Sequence, residues 1–310
     1  MLGSDDNVKK FIWKSRRIAV LHLDSLCCLP ALNLLFQGLG SRIGLVVSSD
    51  RVSDIYDLWR QLRRNAGSWG MRMTLALGFD IVALRVAAVF ASPIRRGIQH
   101  WVRARRGKPA SRGLSTLREH AFRIGAEFAV VEDINDERAI ALLRKFQPDL
   151  VVSFHFDQIL SSAVLEGVGC PVVNVHPSLL PAHRGPCPSF WTLVDADARC
   201  GVTVHIVDGR IDAGPVLARR ERDTPPSICM TELDELLFCD GAGILLDLLS
   251  GPPGAIVDPP GQPAKYQTFP DAKTVHAALR RGVRLWRLSH AVRLISALLG
   301  WNGSTRSSIS

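Results

Sequence analysis

A chain of 310 residues that is 47% hydrophobic and 22% charged has ample apolar content for a buried core. That composition excludes an intrinsically disordered or low-complexity protein. A net charge of +9 directs attention to anionic partners, whether phosphorylated substrate, nucleic acid or acidic membrane face, without choosing among them. The seven cysteines contain no C-x-x-C pair, which points to reduced thiols in a cytoplasmic protein and away from a disulfide frame or a zinc site. The first seventeen residues include acidic side chains and no apolar core, so no signal peptide is expected.

Residues 17–24 (RIAVLHLD) read as the first strand. The following run CLPALNLLFQGL has helical spacing, and Pro30 suits a first turn. Gly38 and Gly40 come after this helix and before the apolar run Ile43 to Val47. A dinucleotide fingerprint must instead follow a strand and open a helix, so these glycines are read as loop closure. Residues 51–125 form a basic, apolar insertion. Its run Met73 to Ala91 approaches spanning length, but Asp80 and Arg85 are costly at a bilayer centre. A helical hairpin capping the sheet, or an interfacial helix pair meeting an anionic surface, is expected there.

From Ala126 the α/β rhythm becomes regular. EFAVVEDIND contains a short strand, Asn135 is placed to cap a helix, and Leu150 to Phe154 reads as a buried parallel strand. The loop His155 to Gln158 leads into a helix ending at Gly167. A Val-rich run then ends on Asn174 and His176, followed by the loop PSLLPAHRGPCP, and a second such run from Gly201 to Val207 leads to Asp208 and Asp212. Ligands of open α/β sheets bind outside the strands' carboxyl ends, so an amide, an imidazole and a carboxylate at two strand ends are placed for chemistry. His205, on the second strand, reads equally as a packed residue or a site residue. The Ser and Cys residues nearby lack the flanking pattern of a covalent catalyst, and no phosphate loop appears.

The series Asn174, His176, Ser178, Leu179, Leu180, Pro181, Arg184 and Gly185, followed by Asp212, Gly214 and Pro215, resembles the folate-dependent formyltransferase family. The likeness is densest over residues 130–220. It implies a Rossmann-like α/β fold with a mostly parallel sheet, and transfer of a formyl group from 10-formyltetrahydrofolate, as co-substrate, to an amine. In that reaction a tetrahedral oxyanion forms and the amine loses a proton. Asn174 would donate to the oxyanion, His176 would donate and shuttle the proton, and Asp212 would set the imidazole's protonation or hold a bridging water. The resemblance further implies folate contacts from Phe154, His155, Phe156, Gln158, Val207 and Asp208, largely through backbone groups. It implies acceptor contacts from Ser178, His183, Arg184 and Gly185, and no metal. Several relatives carry an aromatic residue at the place of His183.

Beyond Leu217, TELDELLFCDGAGILLDLL has an apolar helical stripe, residues 252–270 are Pro/Gly-rich with room for a short hairpin, and one basic amphipathic helix is expected from Lys273 to Leu299. We therefore expect a catalytic domain at 1–222 and a helical extension at 223–310. Methionyl-tRNA formyltransferases carry a C-terminal β-barrel for which this tail has too few strand-like runs, and formyltetrahydrofolate hydrolases usually carry an N-terminal domain for which it has no room. The expected acceptor is therefore an amine on a small or carrier-bound molecule, such as an aminosugar, amino acid derivative or amino lipid, with nucleic acid disfavoured. A tRNA-bound amine and formyltetrahydrofolate hydrolysis are the enzymatic alternatives, and a binding or scaffold role is the least favoured. The basic runs Arg95 to Arg123 and Arg280 to Arg293 make a phosphorylated acceptor or the inner membrane face candidate partners of a cytoplasmic enzyme.

Overall fold

A computed structural model describes residues 12, 14–50, 67, 68, 70–106, 113–251 and 266–300, with side chains left aside at 90–106. Seven strands form one sheet in the order β3-β2-β1-β4-β5-β6-β7. They are β1 (Ile18–His22), β2 (Ile43–Ser49), β3 (Glu127–Val131), β4 (Leu150–Phe154), β5 (Val172–His176), β6 (Arg199–Ile206) and β7 (Val216–Asp223). β1 to β5 pair in parallel, and β6 and β7 complete the sheet antiparallel. This is the mixed, mostly parallel sheet of a Rossmann-like fold. β1 and β4 are fully buried, as their unbroken apolar runs require in a sheet covered on both faces.

The helices are α1 (Leu29–Leu39), α2 (Met71–Arg106), α3 (Leu117–Ile124), α4 (Glu137–Phe146), α5 (Ser162–Val168), α6 (Pro188–Asp195), α7 (Met230–Ser250), α8 (Ala272–Arg280) and α9 (Leu288–Leu298). One face of the sheet packs on α1, α3, α7 and α9, through Leu32, Leu35, Leu117, Leu237, Leu245 and Leu294. The other face packs on α4 and α5 through Ile140, Leu143, Val164 and Val168. Local chemistry sets the helix ends. Thr116 and Glu119 form a capping box on α3, and Ser161 caps α5.

Several elements differ from their sequence expectations. Asp136, not Asn135, caps α4; Asn135 instead bridges to the Ile159 carbonyl and the Ser161 N–H. α5 runs past Gly167 to Val168 and is capped by Gly169 in the left-handed region. A Cβ at Gly167 would stand 3.0 Å from Ile140, so that glycine serves helix packing. The basic tail is two helices, because the chain turns between Arg281 and Arg287 with Gly282 at φ +94°. α7 buries Leu233, Leu237, Ala242 and Leu245 in the same cluster as β5 and β6. The proposed hairpin at 252–270 falls mostly outside the described residues, as does the start of the 51–125 insertion.

Within residues 51–125 the described helices are α3 and the longer α2, which is roughly 54 Å long at 1.5 Å per residue. Its Met73 and Ala76 pack on Phe190, Met230 and Val275, while Leu84 and Ala87 join the main core. No helix among the described residues is long and apolar enough to cross a membrane.

Candidate active site

Strand register brings the polar groups of the two motif halves together. β5 and β6 pair antiparallel with Asn174 opposite His205 and His176 opposite Thr203. Side chains two apart share a face, so the pairing delivers an amide, two imidazoles and a hydroxyl to one patch. Asp212 enters from the β6–β7 loop with φ at +46°, a strained conformation for a non-glycine residue.

The hydrogen bonds define protonation states. His205 donates from Nδ1 to the Ile206 carbonyl at 3.0 Å, which leaves Nε2 as an acceptor. Asn174 Nδ2 donates to that nitrogen at 3.2 Å and faces Asp212 Oδ1 at 3.4 Å. His176 donates from Nε2 to the His183 carbonyl at 3.0 Å, and its Nδ1 faces Asp212 Oδ2 at 3.7 Å. Burial disfavours the charged imidazole of His176 and outweighs the pull of Asp212, so its pKa is lowered and the ring is neutral at neutral pH. Its unprotonated Nδ1 therefore looks at a carboxylate oxygen with no proton between them.

Asp212 is held in the opposite sense. Burial by itself would raise its pKa, but attraction to the His176 and His205 rings in their protonated form, and the Gly185 N–H, which donates to Oδ2 at 2.9 Å, outweigh that. The carboxyl stays ionised, well below the ordinary carboxylate range. The side chains of His176, His205 and Asp212 are 6%, 2% and 12% exposed, so these charges interact with little solvent screening.

The loop after β5 is held from three directions. Thr203 donates to the Ser178 carbonyl at 2.7 Å and accepts the Leu180 N–H at 3.1 Å. Ser178 donates to the Ala182 carbonyl at 2.8 Å. His183 donates from Nε2 to Asp197 at 2.6 Å and meets Gln267 at 2.9 Å through Nδ1. A Cβ at Gly185 would lie 2.2 Å from the Gln267 carbonyl oxygen, so only glycine lets the tail close over this loop. Arg184 donates from Nε and Nη2 to the Ile211 carbonyl at 3.1 and 2.6 Å, tying the loop to the residue before Asp212.

The remaining expected site residues scatter. Phe154 is buried against Phe238, and Gln158 spends its amide on Ser49, Glu132 and Ile134 as a staple between loops. Phe156 and Val207 pack at the edge of the α4–α5 core, and Asp208 pairs with Arg210. His155 turns toward Leu23, Ser25 and Phe238 and touches none of Asn174, His176 or Asp212. A small cavity lined by Leu26, Phe79, Asp80, Trp286 and Leu294 shares no residue with the constellation.

Sequence reasoning left His205 undecided and missed the Gly185 N–H and Gln267. The i, i+2 pair Thr203 and His205 on an apolar strand was the available signal for the first. Nothing local announces the other two.

A family model described as "Formyl transferase" matches residues 97–235. A curated methionyl-tRNA formyltransferase of Roseiflexus sp. (strain RS-1) is 34% identical over 166 residues, covering 52% of this chain and 51% of that protein. Its counterpart from Syntrophus aciditrophicus (strain SB) is 40% identical over 113 residues, covering 36% of each. The chain thus spans about half the length, or less, of these relatives. Among solved structures, glycinamide ribonucleotide transformylase 1 from Symbiobacterium toebii overlays with a TM-score of 0.48 at 18% identity, covering 76% of this chain and 85% of that one. The matched segment, residues 97–235, contains both halves of the motif by which this chain resembles the folate-dependent formyltransferases.

Proposed function

We infer that this chain transfers a formyl group from 10-formyltetrahydrofolate, as co-substrate, to an amine on a small or carrier-bound acceptor. The carrying observation is the unprotonated Nδ1 of His176 facing the ionised Asp212 at 3.7 Å, with the Asn174 N–H on the same carboxylate. When bound, the folate would supply the activated formyl carbon. The residues fit that demand, since they offer an N–H donor, a proton-accepting nitrogen and a fixed negative charge within one buried patch.

Each group then has a task. Attack by the amine throws negative charge onto the formyl oxygen, and Asn174 turns to it the N–H that now faces Asp212 Oδ1 at 3.4 Å, while His205 holds the other N–H at 3.2 Å. Losing one such donor costs about 2.7–4 kcal/mol of transition-state stabilisation. The attacking amine must shed a proton, and His176 takes it at Nδ1 because Nε2 is already committed to the His183 carbonyl. Asp212 stabilises the imidazolium that results, as a buried carboxylate does beside a catalytic histidine. Gly185 and Arg184 hold Asp212 and its loop in place. Phe156, Val207, Asp208 and the backbone of 155–158 are proposed to meet the folate, with Phe154 and Gln158 supporting that loop from behind.

The acceptor is an amine whose carrier stays open. The matched relatives are named methionyl-tRNA formyltransferases, which supports formyl transfer as the chemistry, and the match reaches only about half their length. The net charge of +9 favours an anionic acceptor, including a phosphorylated molecule or one held at a membrane face. The test is to incubate the protein with 10-formyltetrahydrofolate, follow tetrahydrofolate release, and search a cell extract by mass spectrometry for amines gaining a formyl group. Release that needs no acceptor would favour hydrolysis, and neither binding nor turnover would reject both enzymatic readings.

A further inference from the structure

The strand order 3-2-1-4-5 reverses between β1 and β4. In an open α/β sheet that switch point is where a crevice forms at the carboxyl ends of the strands. A polar cluster that takes no part in the chemistry proposed above occupies this point. Cys27 and Cys28 stand at the start of α1, and His155 follows β4. One ligand atom from each of these three residues lies within 4.8 Å of the other two. The two sulfurs are 4.0 Å apart. A tetrahedral zinc ion with Zn–S near 2.3 Å sets two sulfurs about 3.8 Å apart, so the thiols already stand near chelating separation.

The groups behind these ligands fit as well. His155 donates from Nδ1 to the Leu23 carbonyl at 3.1 Å, so Nε2 is the nitrogen that would meet a metal on giving up its proton. Metal-bound imidazoles commonly anchor their second nitrogen in this way. Asp80 reaches in from α2 and accepts the Cys27 backbone N–H at 3.1 Å. Asp24, two residues beyond β1, has a buried Oδ1 with no hydrogen-bond partner.

We propose that Cys27, Cys28 and His155 bind one thiophilic divalent cation of the zinc class. Binding releases two protons to solvent, one from Cys27 and one from the Cys28–His155 pair, and leaves both sulfurs as thiolates and the imidazole neutral. The ion ties the start of α1 to the end of β4. A nucleophilic role for these thiols is disfavoured by burial, since Cys27 and Cys28 are only 3% and 0% exposed. The absence of a C-x-x-C pair hid the site in the sequence, because the third ligand arrives from another strand.

The test uses the full chain, reduced and freed of metal with a chelator, then titrated with cobalt(II). The expected result is one cobalt per chain, with thiolate-to-cobalt charge-transfer absorption in the near ultraviolet and d–d bands of tetrahedral intensity. Zinc should displace those bands and raise the melting temperature by several degrees. Cys28→Ser and His155→Gln should lose or weaken the spectrum, whereas Cys170→Ser and Cys239→Ser should keep it. Absence of the thiolate band in the wild-type chain overturns the proposal whether or not the variants fold. So does a band lost in Cys170→Ser or Cys239→Ser and retained in Cys28→Ser.

Discussion

Replacing Asp212 with Asn is the sharpest test of the proposed chemistry, because it keeps the shape and removes the charge. In the native chain Oδ2 accepts the Gly185 N–H at 2.9 Å and Oδ1 faces Asn174 Nδ2 at 3.4 Å. An amide has one oxygen for these two donors, so its NH₂ must confront one of them. Leaving a buried donor unsatisfied costs about 1–3 kcal/mol. At about 2–4 °C per kcal/mol for a domain of this general size, the melting temperature should fall by only a few degrees. Activity should fall much further, since the counter-charge to the His176 imidazolium is gone and positioned acid–base groups contribute about 10²–10⁴ in rate. Stability should also lose an acid-side component. The native pKa of Asp212 lies below the ordinary value of 3.8, so its contribution is complete above that pH and erodes as pH falls toward the folded value. The melting-temperature gap between wild type and D212N should therefore narrow below about pH 4. Tetrahydrofolate release and scanning fluorimetry from pH 7 to 3 measure both effects. Turnover within tenfold of wild type would refute the role given to Asp212, and a gap that widens in acid would refute the assigned protonation state.

Gly214→Ala places a Cβ 1.9 Å from the Ile206 carbonyl oxygen, a backbone atom that cannot move aside. The β6–β7 loop must shift and carry Asp212 with it, so turnover should be lost and the melting temperature lowered; native values for both would contradict the reading. Arg184→Gln removes the fork on the Ile211 carbonyl, and because the side chain is only half-buried the effect should fall on kcat, by about tenfold, with little change in melting temperature. Glu235 accepts hydrogen bonds from His290 and Arg293 and so joins α7 to α9. Glu235→Gln should cost about 1–3 kcal/mol near neutral pH with turnover unchanged. Its pKa is lowered because His290 and Arg293 outweigh burial, so the loss should shrink as pH falls below 4.5, which melting curves at pH 7 and 4 would measure.

Much of the architecture was legible because it is local. Unbroken runs such as Leu150 to Phe154 bury on both faces only as central parallel strands, and they do so here. The tail was misread for an equally local reason. Arg-rich helical spacing runs across residues 281–287 without interruption, and only Gly282 marks the turn that divides it into two helices. The extent of the core was beyond the reach of composition. α7 looks like an appendage after β7, yet its stripe completes the face that α1 begins.

The sequence by itself determined the pairing of an amide and an imidazole at one strand end with a carboxylate on a later loop, since Asn174, His176 and Asp212 lie in short runs with fixed side-chain periodicity. Tertiary structure decided the partners of those groups. His205 meets Asn174 only through the antiparallel register of β5 and β6, and the low pKa of Asp212 comes from two histidines and the Gly185 amide that converge on it from separate segments. The same holds at the β1–β4 switch point, where Cys27 and Cys28 acquire His155 from a distant strand. Periodicity is written in neighbouring residues, whereas register, burial and convergence are properties of chain segments that meet only once the sheet has formed.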